Sequence, residues 1–212
     1  MITGIRMRFE DWEPHYTEIL DYFGFDRAAD EEAATLLAEI LPRDDIGALT
    51  TLISGKNVTI CGNAPCLASE TDRIEGVVIA ADAAALILYN AGIIPDAIFT
   101  DLDGADDPFI TMNEGKTIIA VHAHGDNMPL LRRWVPRFPG KLIGTTQASP
   151  RNNIHNFGGF TDGDRAAFTA DALGAARLNF IGFDLSDTAV DPMKKGKLFW
   201  ARRLLGMIGH DL

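Results

Sequence analysis

The sequence predicts a doubly wound α/β fold, Rossmann-like, in which a mainly parallel sheet of about six strands lies between helices. From residue 57 onward, short apolar runs alternate with segments of helical character. The clearest case is an apolar run at 77–80, an alanine- and leucine-rich segment at 83–91, and a second apolar run at 97–100. Because such runs are typical of buried parallel strands, these segments predict a central βαβ unit.

The remaining elements follow the same pattern along the chain. Further strands are predicted at 58–61, 117–121, 142–144 and 178–182, and further helices at 128–135, from about 160 to 173, and from about 193. Residues 1–45 differ, because two helix-period patterns, at 12–24 and 27–41, precede the first strand. We therefore predict a helical N-terminal cap over residues 1–45 and an α/β catalytic domain over residues 46–212.

The acidic composition limits the classes of partner. The net charge is −11 and the isoelectric point is near 4.8, which argues against a nucleic-acid-binding surface. No apolar run approaches the ~18 residues of a membrane span, and no secretory segment opens the chain. We therefore expect small-molecule substrates, no membrane partner and a cytoplasmic location. A homodimer formed through the helical cap is a further hypothesis.

Three carboxylates follow the two strands of the central unit. Asp82 comes after the first strand, and Asp101 and Asp103 come after the second. Because ligands bind outside the carboxyl ends of parallel strands, we expect the three acids to meet in one cleft. Close carboxylates repel each other, and a hard divalent cation such as Mg²⁺ relieves that repulsion. The alternative is that these residues cap turns and helices, which is a common use of aspartate.

Polar side chains also follow other predicted strands. They are Asn63 after the first strand, in a turn that begins at Gly62; His122, His124, Asp126 and Asn127 after the fourth; and Thr146 and Gln147 after the fifth. The Gly62 turn is of a kind that presents N–H groups and a helix start to a phosphate. A polar stretch at 148–159 predicts a long loop of the type that forms lids, and Thr161 or Asp162 is predicted to cap the helix that follows.

This set of groups suits metal-assisted transfer of a phosphoryl or diphosphoryl group. A metal ion bridges phosphate oxygens, Lys or Arg takes up developing charge, and a carboxylate or histidine serves as general base. The sequence contains neither G-x-G-x-x-G nor G-x-x-x-x-G-K-[ST], which argues against a Walker-type NTPase. The residues alone do not identify the acceptor.

Two short motifs resemble those of unrelated hydrolases. AIFTDLDG at 97–104 resembles the first motif of haloacid-dehalogenase-type phosphatases, although in that family the motif usually opens the domain. HAHGDN at 122–127 resembles the HxHxDH metal motif of metallo-β-lactamase-like hydrolases, although Asn127 replaces the final histidine. Both matches are weaker than the one that follows.

Taken together, the motifs resemble the archaeal 6-hydroxymethyl-7,8-dihydropterin diphosphokinase family, which is similar in its aspartate pattern to thiamine diphosphokinases. The matching pieces are GNAP (62–65), AADAA (80–84), GIIPDAIFTDLDG (92–104), HAHGDN (122–127), TTQ (145–147), GGFTDGDRA (158–166) and residues 194–198. They occur in the order of the family and span residues 58–205. DLDG alone is a weak signal, whereas HAHGDN and GGFTDGDRA in series are specific.

The resemblance implies transfer of diphosphate from ATP to the hydroxymethyl group of the pterin, with release of AMP and a requirement for Mg²⁺, in a tetrahydromethanopterin or folate-type pathway. It implies that Asp82, Asp101 and Asp103 are metal ligands and, with Asp126, catalytic residues. It implies that the substrate-binding residues are Gly62, Asn63, His122, His124, Asn127, Thr146, Gln147, Asp162, Arg165, Lys194 and Lys197.

Three alternatives remain open at the level of sequence. A metal-dependent phosphatase would release inorganic phosphate without an acceptor. A non-catalytic nucleotide-binding module would bind ATP and turn nothing over. A related diphosphokinase would keep the chemistry and use another acceptor, such as thiamine.

Overall fold

A computed structural model describes residues 7–212 of the chain. Within that range there are seven β-strands and eight α-helices. The strands are β1 (Asn57–Cys61), β2 (Val77–Ala81), β3 (Ala97–Thr100), β4 (Ile118–Ala123), β5 (Leu142–Thr146), β6 (Ile154–His155) and β7 (Arg177–Ile181). The helices are α1 (Phe9–Phe23), α2 (Arg27–Ile40), α3 (Ile46–Ile53), α4 (Ala84–Asn90), α5 (Asp107–Glu114), α6 (Met128–Trp134), α7 (Asp162–Ala172) and α8 (Pro192–Met207).

All the strands lie in one parallel sheet with the order β6-β5-β4-β3-β2-β1-β7. The predicted doubly wound α/β class is therefore confirmed, and the predicted number of six strands is wrong by one. The additional strand, β6, lies inside the polar stretch at 148–159 that was predicted to be a loop. It has only two residues, so it leaves no period in the sequence by which a strand could be predicted.

The two faces of the sheet are covered by separate apolar clusters. On one face, side chains such as Ile98, Ile119 and Val121 pack against residues of α2, α4, α5 and α6. On the other face, side chains such as Ile60, Ile79 and Phe99 pack against α3, α7 and α8. Every residue of β2, β3, β4 and β5 is buried, which explains why these strands are continuous apolar runs rather than alternating ones.

Several boundaries refine the prediction where they matter for function. β3 has the predicted bounds, whereas β4 and β5 extend further, so that His122 and Thr146 belong to strands. The helix expected after Gly62 is a five-residue 3₁₀ helix beginning at Pro65, not an α-helix. The small macrodipole of so short an element weakens the expectation that it binds phosphate through its dipole.

The N-terminal helices are packed on both sides of the sheet edge. Trp12 and Tyr16 of α1 are fully buried in a third apolar cluster with Phe160 and Trp200. Leu37 of α2 belongs instead to the cluster that covers the sheet. The division of the chain after residue 45 stays a prediction. No helix within residues 7–212 has the length and apolar character required to cross a bilayer.

Candidate active site

A cavity of about 770 Å³ opens at the carboxyl ends of the strands. It is lined by residues that follow β5, β4, β3, β2, β1 and β7, and by residues of α2, α7 and α8. Of the predicted site residues, the structure places Gly62, Asn63, Asp82, Asp101, Asp103, His122, His124, Asp126, Gln147, Asp162, Arg165, Lys194 and Lys197 in its wall. The expectation that the acids of the central βαβ unit share one cleft is confirmed.

Asp82 is held in a strained conformation directly after β2. Its φ is +46°, in the left-handed region that side chains other than glycine seldom adopt. The Thr100 hydroxyl, at the end of the neighbouring strand, donates a hydrogen bond of 2.5 Å to Asp82 Oδ1. Gly104 lies so close that a Cβ there would be 2.1 Å from Asp82 Oδ2. The neighbouring elements therefore fix this carboxylate, as is common for strained residues at functional sites.

Asp101 follows β3, and both of its carboxylate oxygens have partners. Its Oδ1 accepts a hydrogen bond from the backbone N–H of Asp103, and its Oδ2 lies 3.4 Å from His124 Nε2. Burial alone would raise the pKa of Asp101, but the hydrogen bonds from His124 and Asp103 outweigh it and hold the pKa below its ordinary value. Asp101 therefore favours its ionised form more than its neighbours in the acidic group do.

Asp82, Asp101 and Asp162 form a cluster in which one carboxylate oxygen from each residue lies within 4.8 Å of the others. Burial, with weaker contributions from the neighbouring carboxylates, raises the pKa of Asp82 to about 6, against a hydrogen bond from Thr100. Burial and then the charge of Asp101 raise the pKa of Asp162 well above its ordinary value. Three close, buried carboxylates repel one another, and a divalent cation among them would relieve that repulsion.

The acidic cluster fits a hard divalent cation. It offers oxygen ligands alone, which is the donor set that Mg²⁺ prefers. Asp162 Oδ1 is buried and has no hydrogen-bond partner, so it is free to bind an ion. The predicted ligand set had Asp103 in place of Asp162. Asp103 is exposed, and its backbone follows Leu102, whose φ of +74° turns the chain at this point.

The start of α7 is fixed by an extensive capping arrangement. Thr161 is the N-cap and forms a capping box with Asp164. Of the two predicted N-caps, Thr161 and Asp162, the structure therefore has Thr161. Asp164 Oδ1 accepts hydrogen bonds from the N–H groups of Phe160, Thr161 and Arg165. The fixed helix start places Asp162 beside the acids of β2 and β3, and places the buried Arg165 guanidinium 3.6 Å from Asp162 Oδ1.

His122 is a buried, neutral histidine in the cavity wall. Its Nδ1 lies 3.1 Å from Thr145 Oγ1, and its Nε2 is buried without a partner. Burial, aided by the charge of Arg165, lowers the pKa of His122 well below its ordinary value. His122 and His124 therefore differ in role, because His124 contacts the acidic cluster through Asp101 whereas His122 does not.

Two predicted site residues, Asn127 and Thr146, are buried outside the cavity wall. Asn127 Nδ2 donates to the backbone oxygens of Asp101 and His122, at 2.7 Å each, and its Oδ1 accepts from the His124 N–H. Asn127 thus holds the ends of β3 and β4 together and positions the groups that line the cleft. Thr146 Oγ1 accepts from the Ala148 N–H in the turn after β5.

The lysines of α8 differ in their relation to the cavity. Lys194 and Lys197 line it, whereas Lys195 is exposed and lies outside its wall. The charge of Lys197 also lowers the pKa of Asp103, which burial and the charge of Asp101 raise overall. The cleft therefore has lysine ammonium groups beside its carboxylates, as a polyphosphate with its cation requires.

Several residues that shape the cavity were not predicted from the sequence. Asp30 of α2 is buried in the wall, and its carboxylate accepts hydrogen bonds from the Tyr16 hydroxyl, Gln147 Nε2 and the Gly125 N–H. The rings of Phe25 and Phe160 also line the cavity. Asp30 lies in the same predicted helix as the apolar residues that α2 buries, and this is a signal that could have indicated it. An acid is rarely buried without a function or a partner.

Comparisons with known proteins agree with this geometry. A family model described as "6-hydroxymethylpterin diphosphokinase MptE-like" matches residues 32–190. Proteins named 6-hydroxymethyl-7,8-dihydropterin pyrophosphokinase are 40% identical in Methanothermobacter thermautotrophicus, over 97% of each chain, and 40% identical in Pyrococcus furiosus, over 85% of this chain and 79% of the relative. The one from Methanocaldococcus jannaschii is 32% identical, over 95% of this chain and 96% of the relative.

A solved structure shares the fold at low sequence identity. The MAf glycosyltransferase from Magnetospirillum magneticum AMB-1 superposes with a TM-score of 0.51 and 17% identity. The match covers 87% of this chain and 34% of that protein, so it shows the fold alone. The family match and the curated relatives together confirm the resemblance seen in the motifs. The chain belongs to the 6-hydroxymethylpterin diphosphokinase MptE-like family.

Proposed function

We propose that this protein transfers diphosphate from ATP to the hydroxymethyl group of 6-hydroxymethyl-7,8-dihydropterin in a Mg²⁺-dependent reaction that releases AMP. The names of the curated relatives supply the acceptor. The observation that supports the chemistry is the cluster of Asp82, Asp101 and Asp162 in a cavity that two lysines also line. Carboxylates that hold a cation, together with ammonium groups, are the usual means of binding a polyphosphate.

In this reaction the hydroxymethyl oxygen attacks the β-phosphorus of ATP. The bond between that phosphorus and the oxygen bridging to the α-phosphate breaks, and AMP leaves with the bond electrons. Held by Asp82, Asp101 and Asp162, Mg²⁺ would neutralise phosphate charge and orient the chain of phosphates. Lys194 and Lys197 bind the remaining phosphate oxygens from the α8 side.

The hydroxyl proton passes to a group near the acceptor. His124 and Asp126 follow β4, which lies between the acidic end of β3 and the Gln147 end of β5. His124 is hydrogen-bonded to Asp101 through Nε2, and Asp126 is exposed at the cavity rim. Of these two, Asp126 has a carboxylate free to accept the proton, which agrees with its predicted catalytic role.

The α8 lysines provide a matched test of phosphate binding. Methionine is similar in length to lysine, so Lys197→Met removes the half-buried ammonium and little else. We expect kcat/KM for ATP to fall about 10- to 100-fold. The control is Lys195→Met, two residues away on the same helix and outside the cavity wall, which is expected to stay within about twofold of wild type. Equal effects of both substitutions would contradict a specific role for Lys197.

The proposed function is tested by incubating the protein with ATP, Mg²⁺ and the reduced hydroxymethylpterin, and separating the products. We expect AMP and pterin diphosphate in equal amounts, only when pterin and metal are both present. Inorganic phosphate released without the pterin would support the phosphatase alternative. If AMP forms when thiamine is the acceptor and does not form with the pterin, the proposed acceptor is wrong. Binding of ATP without any product would indicate a non-catalytic module.

A further inference from the structure

One side of the cavity lies apart from the cluster of Asp82, Asp101 and Asp162 and, among the described residues, contains no lysine. We call it the ring pocket and define it by six residues that line the cavity: Phe25, Asp30, His122, Gln147, Phe160 and Arg165. It lies toward β4 and β5, whereas Asp82 follows β2 on the other side of β3. His122 pairs with Thr145 of β5, and Gln147 follows the end of that strand, so both side chains belong to neighbouring strand ends.

Asp30 fixes the orientation of the Gln147 amide. Gln147 Nε2 donates a hydrogen bond of 2.7 Å to Asp30 Oδ2, which also accepts from the Tyr16 hydroxyl at 2.7 Å. An amide oxygen in that position would face a carboxylate oxygen without a proton between them, so the opposite amide orientation is unfavourable. The Oε1 of Gln147, a residue only 4% exposed, is therefore directed away from Asp30 as a hydrogen-bond acceptor in the cavity wall.

The contacts of Thr145 favour one tautomer of His122. Thr145 Oγ1 has a single proton and lies 3.2 Å from the Val121 carbonyl and 3.1 Å from His122 Nδ1. With that proton directed to the carbonyl, Oγ1 accepts from Nδ1, and we infer that His122 Nε2 is the unprotonated nitrogen. It is an acceptor that is buried without a partner, in a residue that is only 1% exposed. An unpaired buried acceptor is unfavourable until a ligand donates to it.

Arg165 adds a donor to these two acceptors. Its Nη2 donates to the Phe160 carbonyl at 2.7 Å, and its Nη1 lies near Asp162. Its Nε is buried and has no partner. The rings of Phe25 and Phe160, with centroids 6.4 Å apart, supply apolar surface against which a planar ring can pack. The ring pocket therefore offers two acceptors, one donor and two aromatic rings.

We propose that the ring pocket binds the 2-amino-4-oxopyrimidine edge of the pterin, with Gln147 and His122 as the residues that select it. This inference rests on the proposed function. The pterin edge presents the 2-amino group, N3–H and the 4-oxo oxygen in succession: two donors and then an acceptor. The unpaired groups of the pocket complement that set. Adenine presents an amino donor beside a ring nitrogen acceptor, so it would leave one of the buried acceptors unpaired.

The test is calorimetric titration of the full-length protein with the reduced hydroxymethylpterin and, separately, with ATP and Mg²⁺. Gln147→Met keeps the length of the side chain and removes both its acceptor and the Nε2 donor to Asp30, so the variant is first checked for cooperative unfolding. It is expected to raise the Kd for the pterin at least about tenfold and to leave the Kd for ATP within about twofold of wild type. Asn90→Met, an amide-to-thioether change at an exposed residue outside the cavity wall, is the matched control and should change neither Kd.

A second measurement uses the wild-type protein and needs no variant to fold. The analogue with an oxo group in place of the 2-amino group turns one donor of the ring into an acceptor. This analogue is expected to bind at least about 100-fold more weakly than the pterin, because its new oxo oxygen would face an acceptor of the pocket with no proton between them. Equal affinity for the two ring systems would overturn the proposal, as would an unchanged pterin Kd in Gln147→Met.

Two further outcomes separate this inference from the proposed function. In the first, the wild type makes pterin diphosphate, but Gln147→Met raises the Kd for ATP rather than the Kd for the pterin. The proposed function then stands, and the ring pocket is assigned to the wrong substrate. If the pterin does not bind but a guanine nucleoside does, in a manner that depends on Gln147, the pocket chemistry is supported and the acceptor in the proposed function is wrong. Guanine is the natural comparison because it shares the donor–donor–acceptor edge.

Discussion

Replacing Asp101 with asparagine is expected to lower kcat for diphosphate transfer at least about 1000-fold, with the fold intact. Asp101 favours its ionised form most within the acidic cluster, because hydrogen bonds from His124 and Asp103 hold its pKa below the ordinary value. Asparagine keeps the shape and one oxygen but removes the charge. It would weaken both the affinity for a divalent cation and the stabilisation of the phosphate chain. The measurement is AMP formation under saturating ATP, pterin and Mg²⁺.

Thermal unfolding distinguishes loss of the site from loss of the fold. The pKa of Asp101 is depressed by its hydrogen bonds with His124 and Asp103, so the folded protein favours the ionised carboxylate and loses that contribution in the variant. We expect Asp101→Asn to unfold cooperatively at a somewhat lower temperature than wild type without metal, and to gain less stability than wild type from added Mg²⁺. Asp72→Asn, at an exposed position outside the cavity wall, is the matched control. A fully active Asp101→Asn would remove Asp101 from the mechanism.

Replacing Gly104 with alanine is expected to lower kcat about 100-fold through a single added methyl group. The new Cβ would lie 2.1 Å from Asp82 Oδ2, so the carboxylate must move. That atom is the end of a side chain, and it can move at small cost to the fold. The geometry of the acidic cluster would change, because Asp82 would have to leave its hydrogen bond with Thr100. The expected result is therefore a large loss of activity with little change in melting temperature.

Gly47→Ala is the control for the chemical change at Gly104. Gly47 lies in α3, and a Cβ added there would have nothing within 4 Å. We expect wild-type kcat and a stability gain of about 0.5–1 kcal/mol, because alanine favours the helix more than glycine. Wild-type kcat in Gly104→Ala would show that the position of Asp82 is not critical for the reaction.

The central βαβ unit was predictable because its signals are local. The strands are buried on both faces, so their sequences are apolar runs, and β3 has the bounds that the sequence predicts. The meeting of Asp82 and Asp101 followed from the rule that parallel strands end at the same edge of a sheet. Of the polar residues predicted at the ends of β4 and β5, four line the cavity for the same reason, and Asn127 and Thr146 do not.

The composition of the acidic cluster was less predictable because it depends on a helix. Asp162 enters the cluster through the position of α7 over the sheet, and sequence spacing does not set that position. Asp103 was the expected third member because it follows Asp101 by two, which on an extended strand would place both side chains on one side. The left-handed turn at Leu102 ends the extended geometry between them. Asp30 is equally remote, since it precedes the first strand of the sheet.

Tyr16, Asp30 and Gln147 share one buried hydrogen-bond set although the chain separates Asp30 from Gln147 by 117 positions. Changing any one of them alone leaves a donor or an acceptor unpaired in the interior. Substitutions at these positions should therefore be strongly epistatic, with effects that do not add in a double-mutant cycle. A lineage that altered this wall of the cleft would have to replace the three side chains as a set, and a protein chimera would have to exchange them together.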